Sequence, residues 1–265
     1  MISCIIPSAI PRAALVTGGA VRLGRAIALA LAGQGFAVAV HCNSRRTEAE
    51  ATAAEIRALG VRAVVLAADL AREGEVQGLV VAATAAIGPL GVLVNNASTF
   101  ERDEWDDATR ESWDLHMEPN LRAPFVLAQD FARALPPLVN GAEAEGVVLN
   151  MLDMRVWSLT PHFVSYTVSK AGLWALTQSL ALALAPRVRV LGIGPGPALP
   201  NARQSQAQFD RQAASTPLRR GTTPEEVAQA ALMLLALPSV TGQMLALDGG
   251  QHLQWAPSTG REPQE

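Results

Sequence analysis

The chemistry in this sequence centres on one tyrosine and one lysine, Tyr166 and Lys170, which stand four residues apart. On a helix that spacing places both side chains on the same face. A phenol, with an ordinary pKa of about 10, becomes a useful proton donor or acceptor when a nearby ammonium favours its ionised form. We therefore predict that Tyr166 transfers a proton and that Lys170 assists it.

The composition supports this prediction. Tyr166 is the only tyrosine in 265 residues, and Lys170 is the only lysine among 21 basic residues. Generic surface cations in this protein are therefore arginines. A compact ammonium can lower the pKa of a neighbouring phenol, a role that a guanidinium fills less well. The sole tyrosine and the sole lysine fall into this relation by accident with odds of roughly one in a few hundred, so the functional interpretation is favoured.

A glycine-bearing turn over 17–24 suits a dinucleotide. Glycine permits a tight turn and lets a pyrophosphate approach the backbone amides at a helix N-terminus. Alone this is a weak signal, because many strand-to-helix turns carry glycine for packing. The turn follows the first predicted strand and opens the first predicted helix, where a dinucleotide-binding fold requires it.

The residues at the end of the second predicted strand indicate which dinucleotide binds. No acid stands there to accept hydrogen bonds from an adenosine ribose, as an NAD site usually requires. Ser44 and Arg45 instead offer a hydroxyl and a guanidinium, which suit the 2′-phosphate of NADPH. The sequence predicts NADPH/NADP as the cofactor, and the alternative is a solvated turn before a helix.

An alternation of strands and helices carries these motifs. Helical stretches occur at 25–32, at 48–59 behind a capping box of Thr47 and Glu50, and from Thr223 onward. The pattern predicts an α/β fold, a doubly wound seven-stranded parallel sheet with helices on both faces and a ligand crevice at the carboxyl ends of the strands. Aliphatic runs that suit buried parallel strands lie at 13–16, 36–40, 63–66, 92–94, 147–149, 188–193 and 244–247.

The length of the chain fits one large domain with a well-buried core. We predict an N-terminal arm over 1–11, a catalytic domain over 12–256 and, on composition, a flexible tail over 257–265. The arm lacks the basic start of a signal peptide. The uncharged run 76–100 is broken by Gly88, Pro89 and Gly91, so it is interpreted as helix, turn and strand rather than as a membrane span.

Charge and cysteine content exclude several partners. A formal net charge of -3 does not provide the basic field that nucleic acid or an anionic membrane demands. Cys4 and Cys42 lack disulfide or ligand spacing, which favours a reducing, cytoplasmic location. His116, His162 and His252 lack ligand spacing as well, so we predict no metal.

Taken in order, the motifs resemble the short-chain dehydrogenase/reductase family over roughly residues 12–254. In that family the tyrosine is the general acid/base, the lysine tunes it and holds the cofactor ribose, and an asparagine supports a water chain. The resemblance implies these roles for Tyr166, Lys170 and Asn120. Further cofactor contacts are expected, from the matching motifs and their neighbours, at Thr17, Gly18, Arg22, Leu23, Gly24, His41, Asn43, Ser44, Arg45, Asp69, Leu70, Asn96, Ala97, Ser98, Met151, Pro195 and Gly196.

Two departures from the general family pattern narrow the resemblance. Arg22 replaces a usual glycine, and Asp153 replaces the serine usually found thirteen residues before Tyr166. With the motifs at 95–100, 150–153 and 248–253, they look like the pteridine reductases and bacterial dihydromonapterin reductases. In those enzymes the arginine faces cofactor phosphate and pterin, a serine hydrogen-bonds, a phenylalanine stacks on the pterin ring and the aspartate works with the tyrosine. The resemblance thus implies substrate contacts for Arg22, Ser98, Phe100, Asp153 and Tyr166.

Simpler interpretations of two of these residues remain open. Asp153 is alternatively a loop carboxylate paired with Arg155. Phe100 is alternatively a core residue. The segment 197–220 lies where the family places its substrate lid, and its composition does not reveal what it closes over.

The main functional hypothesis is reduction of a dihydropterin-type C=N bond by hydride from NADPH. The alternative keeps the fold but assigns a carbonyl substrate, as in 3-oxoacyl reductases or sugar dehydrogenases. Asp153 argues against that alternative, since those reactions usually rely on the serine hydroxyl. A non-catalytic NADPH-binding sensor is the third hypothesis, and the presence of both Tyr166 and Lys170 argues against it.

The helix that carries Tyr166 has no charged residue from Ala171 to Leu184. A helix that is apolar on nearly all sides must be buried on nearly all sides. One face can lie on the sheet, and we expect the other to meet a second copy of the chain. The sequence therefore predicts a homo-oligomer, a dimer or, as the family resemblance implies, a tetramer.

Overall fold

A seven-stranded parallel sheet lies at the centre of the computed structural model, which describes residues 5–200 and 203–254. The strand order is β3-β2-β1-β4-β7-β8-β9. This order reverses between β1 and β4, the point at which doubly wound folds bind ligands. The strands are β1 (Ala13–Val16), β2 (Ala37–Cys42), β3 (Ala63–Ala67), β4 (Val92–Asn95), β7 (Gly146–Met151), β8 (Val188–Pro195) and β9 (Met244–Leu247), and a small separate hairpin comprises β5 (Leu138–Val139) and β6 (Ala142–Glu143).

Helices cover both faces of the sheet, so the predicted α/β doubly wound fold is confirmed. On one face the core includes Ile27 and Val227, and on the other it includes Val80 and Leu127. Each fully buried aliphatic side chain of this kind stabilises the fold by about 1.5–3 kcal/mol. The helices are α1 (Arg22–Gly33), α2 (Arg46–Ala58), α3 (Glu73–Val76), α4 (Leu79–Ile87), α5 (Arg110–Met117), α6 (Ala123–Ala134), α7 (Val164–Ala183), α8 (Gln206–Ala214) and α9 (Pro224–Leu235).

All seven predicted strands are present, and β1 and β9 have the predicted bounds. The other five end one or two residues later than predicted. Four of these five strands end on a small or polar residue, such as Asn95, which pairs in register with Asn150, and β7 ends at Met151. Apolar runs define the middle of a buried strand, whereas its carboxyl end turns polar where it meets the crevice.

One helix start was predicted correctly and two were not, since α1 begins at Arg22 rather than at Arg25. The Thr223 hydroxyl caps α9 by accepting a hydrogen bond from the Glu226 amide at 3.1 Å, and the Glu226 carboxylate accepts one from the Thr223 amide at 3.1 Å. The predicted capping box at Thr47 is wrong, because α2 already begins at Arg46 and its N-cap Arg45 makes no side-chain cap. A tight turn, with the Arg46 amide 3.0 Å from the Ser44 carbonyl, starts this helix early.

The described part of the N-terminal arm packs against the domain. Ile6 and Ile10 are 5% and 1% exposed and belong to the core that contains α1. The predicted tail over 257–265 lies outside the described residues, as does Cys4. Within residues 5–200 and 203–254, no helix combines the length and apolar character needed to span a membrane.

Candidate active site

The turn between β1 and α1 is tied to the end of β4, the two strands that flank the switch point. The Thr17 hydroxyl accepts from the amides of Asn96 and Ala97 at 2.9 and 3.0 Å, and it lies 3.2 Å from the Val94 carbonyl. The Asn96 side chain donates to the carbonyls of Thr17 and Gly18 at 2.9 and 3.1 Å. These bonds hold the two turns as one rigid edge of the crevice.

Backbone conformation at this turn suits a phosphate group. Gly18 has a φ of +61°, and a Cβ at Gly24 would lie 2.3 Å from the Gly18 carbonyl oxygen. Only glycine fits position 24 without displacing the turn. Helix α1 has no side-chain cap at its N-cap, Val21. Its first amides are therefore available to an anion.

His41 holds the same turn through hydrogen bonds to the backbone. The side chain is 2% exposed, its Nδ1 accepts from the Gly18 amide at 3.1 Å, and its Nε2 lies 3.0 Å from the Ala68 carbonyl. This arrangement requires a neutral ring that donates through Nε2, and burial lowers the pKa of His41 accordingly. Both ring nitrogens are hydrogen-bonded to the backbone, so the ring holds the turn in place, and the predicted contact of His41 with the cofactor stays a prediction.

A cleft of about 630 Å³ opens above the carboxyl ends of β1 to β4. Ser44 and Arg45 lie exposed at the end of β2, so a hydroxyl and a guanidinium face the cleft where an adenosine ribose would lie. Among the described residues that line it, Asp69 is the one acid. The cleft is lined by these residues predicted to bind the cofactor: Gly18, Arg22, Leu23, Gly24, His41, Asn43, Ser44, Arg45, Asp69, Leu70, Asn96, Ala97 and Ser98.

Tyr166 and Lys170 lie together on the buried face of α7, at 6% and 3% exposure. The Lys170 Nζ donates to the Met151 carbonyl at 2.8 Å and lies 5.7 Å from the centre of the Tyr166 ring. Burial lowers the pKa of Lys170 to about 8, although the charge of Asp153 opposes this shift. At neutral pH most of this ammonium is charged and adjacent to the phenol.

Asp153 contacts both Tyr166 and Arg155, and its Oδ2 is shared between them. The Tyr166 hydroxyl donates to Asp153 Oδ2 at 3.0 Å. Oδ1 accepts from the Arg155 amide at 2.9 Å and lies 3.3 Å from Arg155 Nη1. The ion pair is 7% and 16% exposed, so water screens it weakly. Asp153 is therefore paired with Arg155 and also hydrogen-bonded to Tyr166, and its predicted catalytic role stays a prediction.

A second pocket, of about 290 Å³, adjoins the cleft and shares Arg22, Leu23, Asn96 and Ser98 with it. Groups bound in the two cavities would therefore lie next to each other. The predicted residues that line only this pocket are Phe100, Met151, Asp153, Tyr166, Lys170, Pro195 and Gly196. Sequence reasoning missed Arg155 and Gln251 as lining residues, whereas Leu199, Gln204, Phe209 and Gln212, which also line this pocket, lie in the predicted lid segment 197–220.

Phe100 has an aromatic partner that the sequence did not reveal. Its ring stacks on Phe163 at a centroid distance of 4.6 Å with an interplanar angle of 13°. It meets Tyr166 edge-on, also at 4.6 Å. Phe163 therefore covers one face of Phe100, and the guanidinium groups of Arg155 and Arg203 lie 5.6 and 5.5 Å from the centre of the Phe100 ring. Phe163 has a φ of +57°, which only the folded backbone makes visible.

Hydrogen bonds join the predicted lid segment, 197–220, to residues that line the two cavities. Arg22, which has a φ of +55°, donates to the carbonyls of Leu199 and Pro200 at 3.1 and 2.8 Å. Arg203 donates to the Phe100 carbonyl at 2.8 Å and forms an ion pair with Glu101. In this state the Arg22 side chain, predicted to face cofactor phosphate and substrate, bonds the lid backbone at the border of the two cavities.

Asn120 lies in a short π-helical turn (Glu118–Arg122) and is 1% exposed. Its amide exchanges hydrogen bonds with the backbone of Thr99 at 2.8 and 2.9 Å and reaches Ser169 Oγ at 3.2 Å. It thus connects the loop after β4 to α7. Its predicted support of a water chain stays a prediction. In the part of the chain that the structure describes, no three His, Cys, Asp or Glu side chains cluster as metal ligands would.

The sheet order, the glycine turn at the switch point and the Tyr166–Lys170 pair beside the cleft define a class of nucleotide-dependent oxidoreductase. A family model described as enoyl-(acyl carrier protein) reductase matches residues 19–252. The short-chain dehydrogenase/reductase eriH of Hericium erinaceus is 31% identical over 90% of this chain and 96% of its own. The chain belongs to the short-chain dehydrogenase/reductase family.

Other similar proteins differ in their described activities. The 3-oxoacyl-[acyl-carrier-protein] reductase FabG of Staphylococcus epidermidis is 29% identical over 91% of this chain and 99% of its own. The structure of FolM alternative dihydrofolate reductase 1 from Brucella canis, complexed with NADP, matches with a TM-score of 0.89 and 46% identity over 95% of this chain and 98% of that one. A short chain dehydrogenase from Burkholderia cenocepacia, in complex with NADP, matches with a TM-score of 0.84 and 31% identity over 92% and 99%.

Proposed function

We propose that this protein reduces a dihydropterin-type C=N bond. The observation that carries the proposal is the Asp153 carboxylate, which accepts a hydrogen bond from the Tyr166 hydroxyl at 3.0 Å in the position where the family usually has serine. The 46% identity with a protein described as an alternative dihydrofolate reductase supports it. The chain is an NADP-dependent oxidoreductase of its family.

Bound NADPH supplies the hydride, and the residues of the chain supply the proton. When the carbon of a C=N bond gains hydride, its nitrogen must gain a proton. The Tyr166 hydroxyl donates that proton at the pocket wall, and Asp153 is within hydrogen-bond distance to relay a replacement. The Lys170 ammonium beside the ring stabilises the negative charge left on the phenol oxygen.

The cofactor site predicts a preference for NADPH. Because Ser44 and Arg45 replace the acid of an NAD site, NADPH should bind at least tenfold more tightly than NADH, a difference of about 1.4 kcal/mol. Arg45→Ala should narrow the gap, since it removes the cation facing the 2′-phosphate. Titration of both dinucleotides by fluorescence or calorimetry measures this. Arg57→Ala, at the far end of α2, is the matched control. Equal affinities for the two dinucleotides in the unsubstituted protein would refute the assignment.

The outer face of α7 favours assembly. Val168, Ala175, Ser179 and Leu182 recur along one exposed side of this helix at helical spacing, and Leu182 is 84% exposed. Burying this uncharged stripe against a second copy removes apolar surface from water. We expect a dimer or tetramer at micromolar concentration by sedimentation or light scattering, and Leu182→Arg should shift it toward monomer. A monomeric mass for the unsubstituted chain contradicts this prediction.

A carbonyl substrate is the second candidate, favoured by the similarity to the 3-oxoacyl reductase FabG. NADPH oxidation measured across dihydropterins, dihydrofolate, quinonoid substrates and simple ketones separates the two. Turnover confined to ketones overturns the pterin assignment. NADPH binding without turnover of any of them would favour the sensor hypothesis. A cytoplasmic location stays a prediction from the sequence.

A further inference from the structure

A buried polar cluster, Asp103, His116 and Ser165, lies beside the contact between Phe100 and Tyr166. These three side chains are 3%, 0% and 0% exposed, and none of them lines either cavity. Burying polar groups so completely costs free energy unless each is hydrogen-bonded. The cluster therefore requires complete pairing.

The donor and the acceptor of each hydrogen bond in the cluster can be assigned. His116 Nε2 accepts from the Glu101 amide at 3.0 Å, so the ring proton lies on Nδ1. Nδ1 faces Ser165 Oγ at 2.6 Å and the Ser112 carbonyl at 3.0 Å. Ser165 Oγ in turn donates to Asp103 Oδ2, and Asp103 Oδ1 accepts from the Ser165 amide at 3.2 Å. Only a neutral imidazole satisfies every member of this chain.

The cluster joins three elements that carry the chemistry. Glu101 directly follows Phe100 in the loop after β4, His116 lies on α5, and Ser165 directly precedes Tyr166 on α7. The His116 ring lies 6.0 Å from the Tyr166 ring. The same bonds that hold the Phe100 loop therefore hold the first turn of the helix that presents the proton donor.

We propose that His116, through Asp103 and Ser165, is a positioning residue that sets the geometry between the substrate-stacking ring of Phe100 and the hydroxyl of Tyr166. The Phe100 half of this inference rests on the proposed function, whereas the Tyr166 half applies to any substrate of the family. An error of about 1 Å in such a geometry can cost about 10²-fold in rate.

The cluster gives this positioning a pH dependence. Burial lowers the pKa of His116, although its backbone hydrogen bond to Ser112 and the charges of Asp103 and Glu101 oppose the shift, and the Tyr166 ring is the other titratable group beside it. Protonation would place a second N–H against the Glu101 amide. Because the folded-state pKa lies below the ordinary value, this contribution to stability is complete above about pH 6.5 and is lost as the pH falls below it.

Three substitutions test the hydrogen bonds of the cluster separately from its titration. His116→Gln can offer an amide oxygen to the Glu101 amide and an N–H toward Ser165 without a titrating ring, whereas His116→Asn, one bond shorter, keeps the donor toward Ser165 but loses the acceptor for the Glu101 amide. Ser165→Ala removes the link between His116 and Asp103 and preserves the helix. His162→Asn, a partly exposed histidine paired with Glu104, is the matched control.

The measurements are kcat and KM with a dihydropterin, and the ultraviolet absorbance of the phenolate, which reports Tyr166 alone because it is the only tyrosine. We expect His116→Asn and Ser165→Ala to lower kcat by roughly tenfold or more and to shift the Tyr166 titration, with NADPH affinity unchanged. His116→Gln should retain kcat within about threefold and lose the acid limb of the pH profile.

Folded His116→Asn and Ser165→Ala proteins with unchanged kcat and an unchanged Tyr166 titration would overturn the inference. A fall in thermal stability with both readouts unchanged means a structural role only and also overturns it. If the unsubstituted enzyme reduces ketones but no dihydropterin, the proposed function fails separately, and kcat with the ketone and the phenolate titration still test the positioning of Tyr166.

Discussion

Replacing Asp153 by serine should lower turnover of a dihydropterin by roughly 10²-fold or more, the usual span for a lost general acid or base. The change removes the carboxylate that accepts a hydrogen bond from the Tyr166 hydroxyl at 3.0 Å. It leaves a hydroxyl of the type that carbonyl reductases use to hold a ketone oxygen. The same variant should therefore keep or improve ketone reduction. Steady-state NADPH oxidation with both substrates measures the two effects.

The Arg155 contact requires a stability control for this experiment. The Arg155 side chain is only 7% exposed, and replacing Asp153 removes the carboxylate of its ion pair. Breaking a buried ion pair can cost about 3–5 kcal/mol of stability. Asp153→Asn keeps the shape and a hydrogen-bond acceptor but cannot relay a proton, so it should lose a similar factor in turnover at a smaller loss of stability. Unfolding curves for both variants separate folding from chemistry.

Two further variants complete the comparison. Tyr166→Phe should cause a severe loss with any substrate, because both candidate functions require the phenol. Asp106→Ser, at an exposed loop carboxylate, should change neither activity nor stability. Full dihydropterin activity in Asp153→Ser, together with an inactive Tyr166→Phe, defeats the pterin assignment.

The sequence was sufficient for the pattern of the fold because buried parallel strands are continuous apolar runs. It was least informative at the strand ends, where His41 and Asn95 continue the pairing although they are polar. Those ends form the crevice, so hydrophobic periodicity loses its signal at the residues that contact ligands. The start of α2 was misplaced for a related reason, since local turn geometry at Ser44 overrode a plausible cap at Thr47.

Within the site, spacing along one helix was enough to pair Tyr166 with Lys170, because the helix itself fixes their geometry. Contacts between distant segments were not accessible in this way. The stacking of Phe100 on Phe163 joins residues 63 positions apart and depends on a positive φ at Phe163. The bonds from Arg22 to the lid carbonyls depend on how residues 197–200 return over the pocket.

Lys170→Met should inactivate the enzyme and at the same time stabilise the folded protein at neutral pH. The ammonium is 3% exposed, and burial lowers its pKa from 10.5 to about 8. Since one pH unit corresponds to about 1.4 kcal/mol, keeping this group charged at pH 7 costs on the order of 3 kcal/mol of folding free energy. Methionine has a similar length, removes that cost and cannot assist the phenol, so turnover should fall by about 10²-fold or more.

The pH dependence distinguishes this explanation from better packing. Between pH 8 and 10.5 the unfolded chain binds the Lys170 proton and the folded protein does not, so the unfolding free energy of the unsubstituted enzyme should rise with pH across that window. Lys170→Met lacks this rise, and its advantage at pH 7 should shrink toward pH 10. Arg110→Met, whose side chain is 81% exposed, is the control and should show neither effect. A Lys170→Met protein that is less stable than the unsubstituted enzyme at pH 7 would mean that the 2.8 Å bond to the Met151 carbonyl outweighs the desolvation of the ammonium.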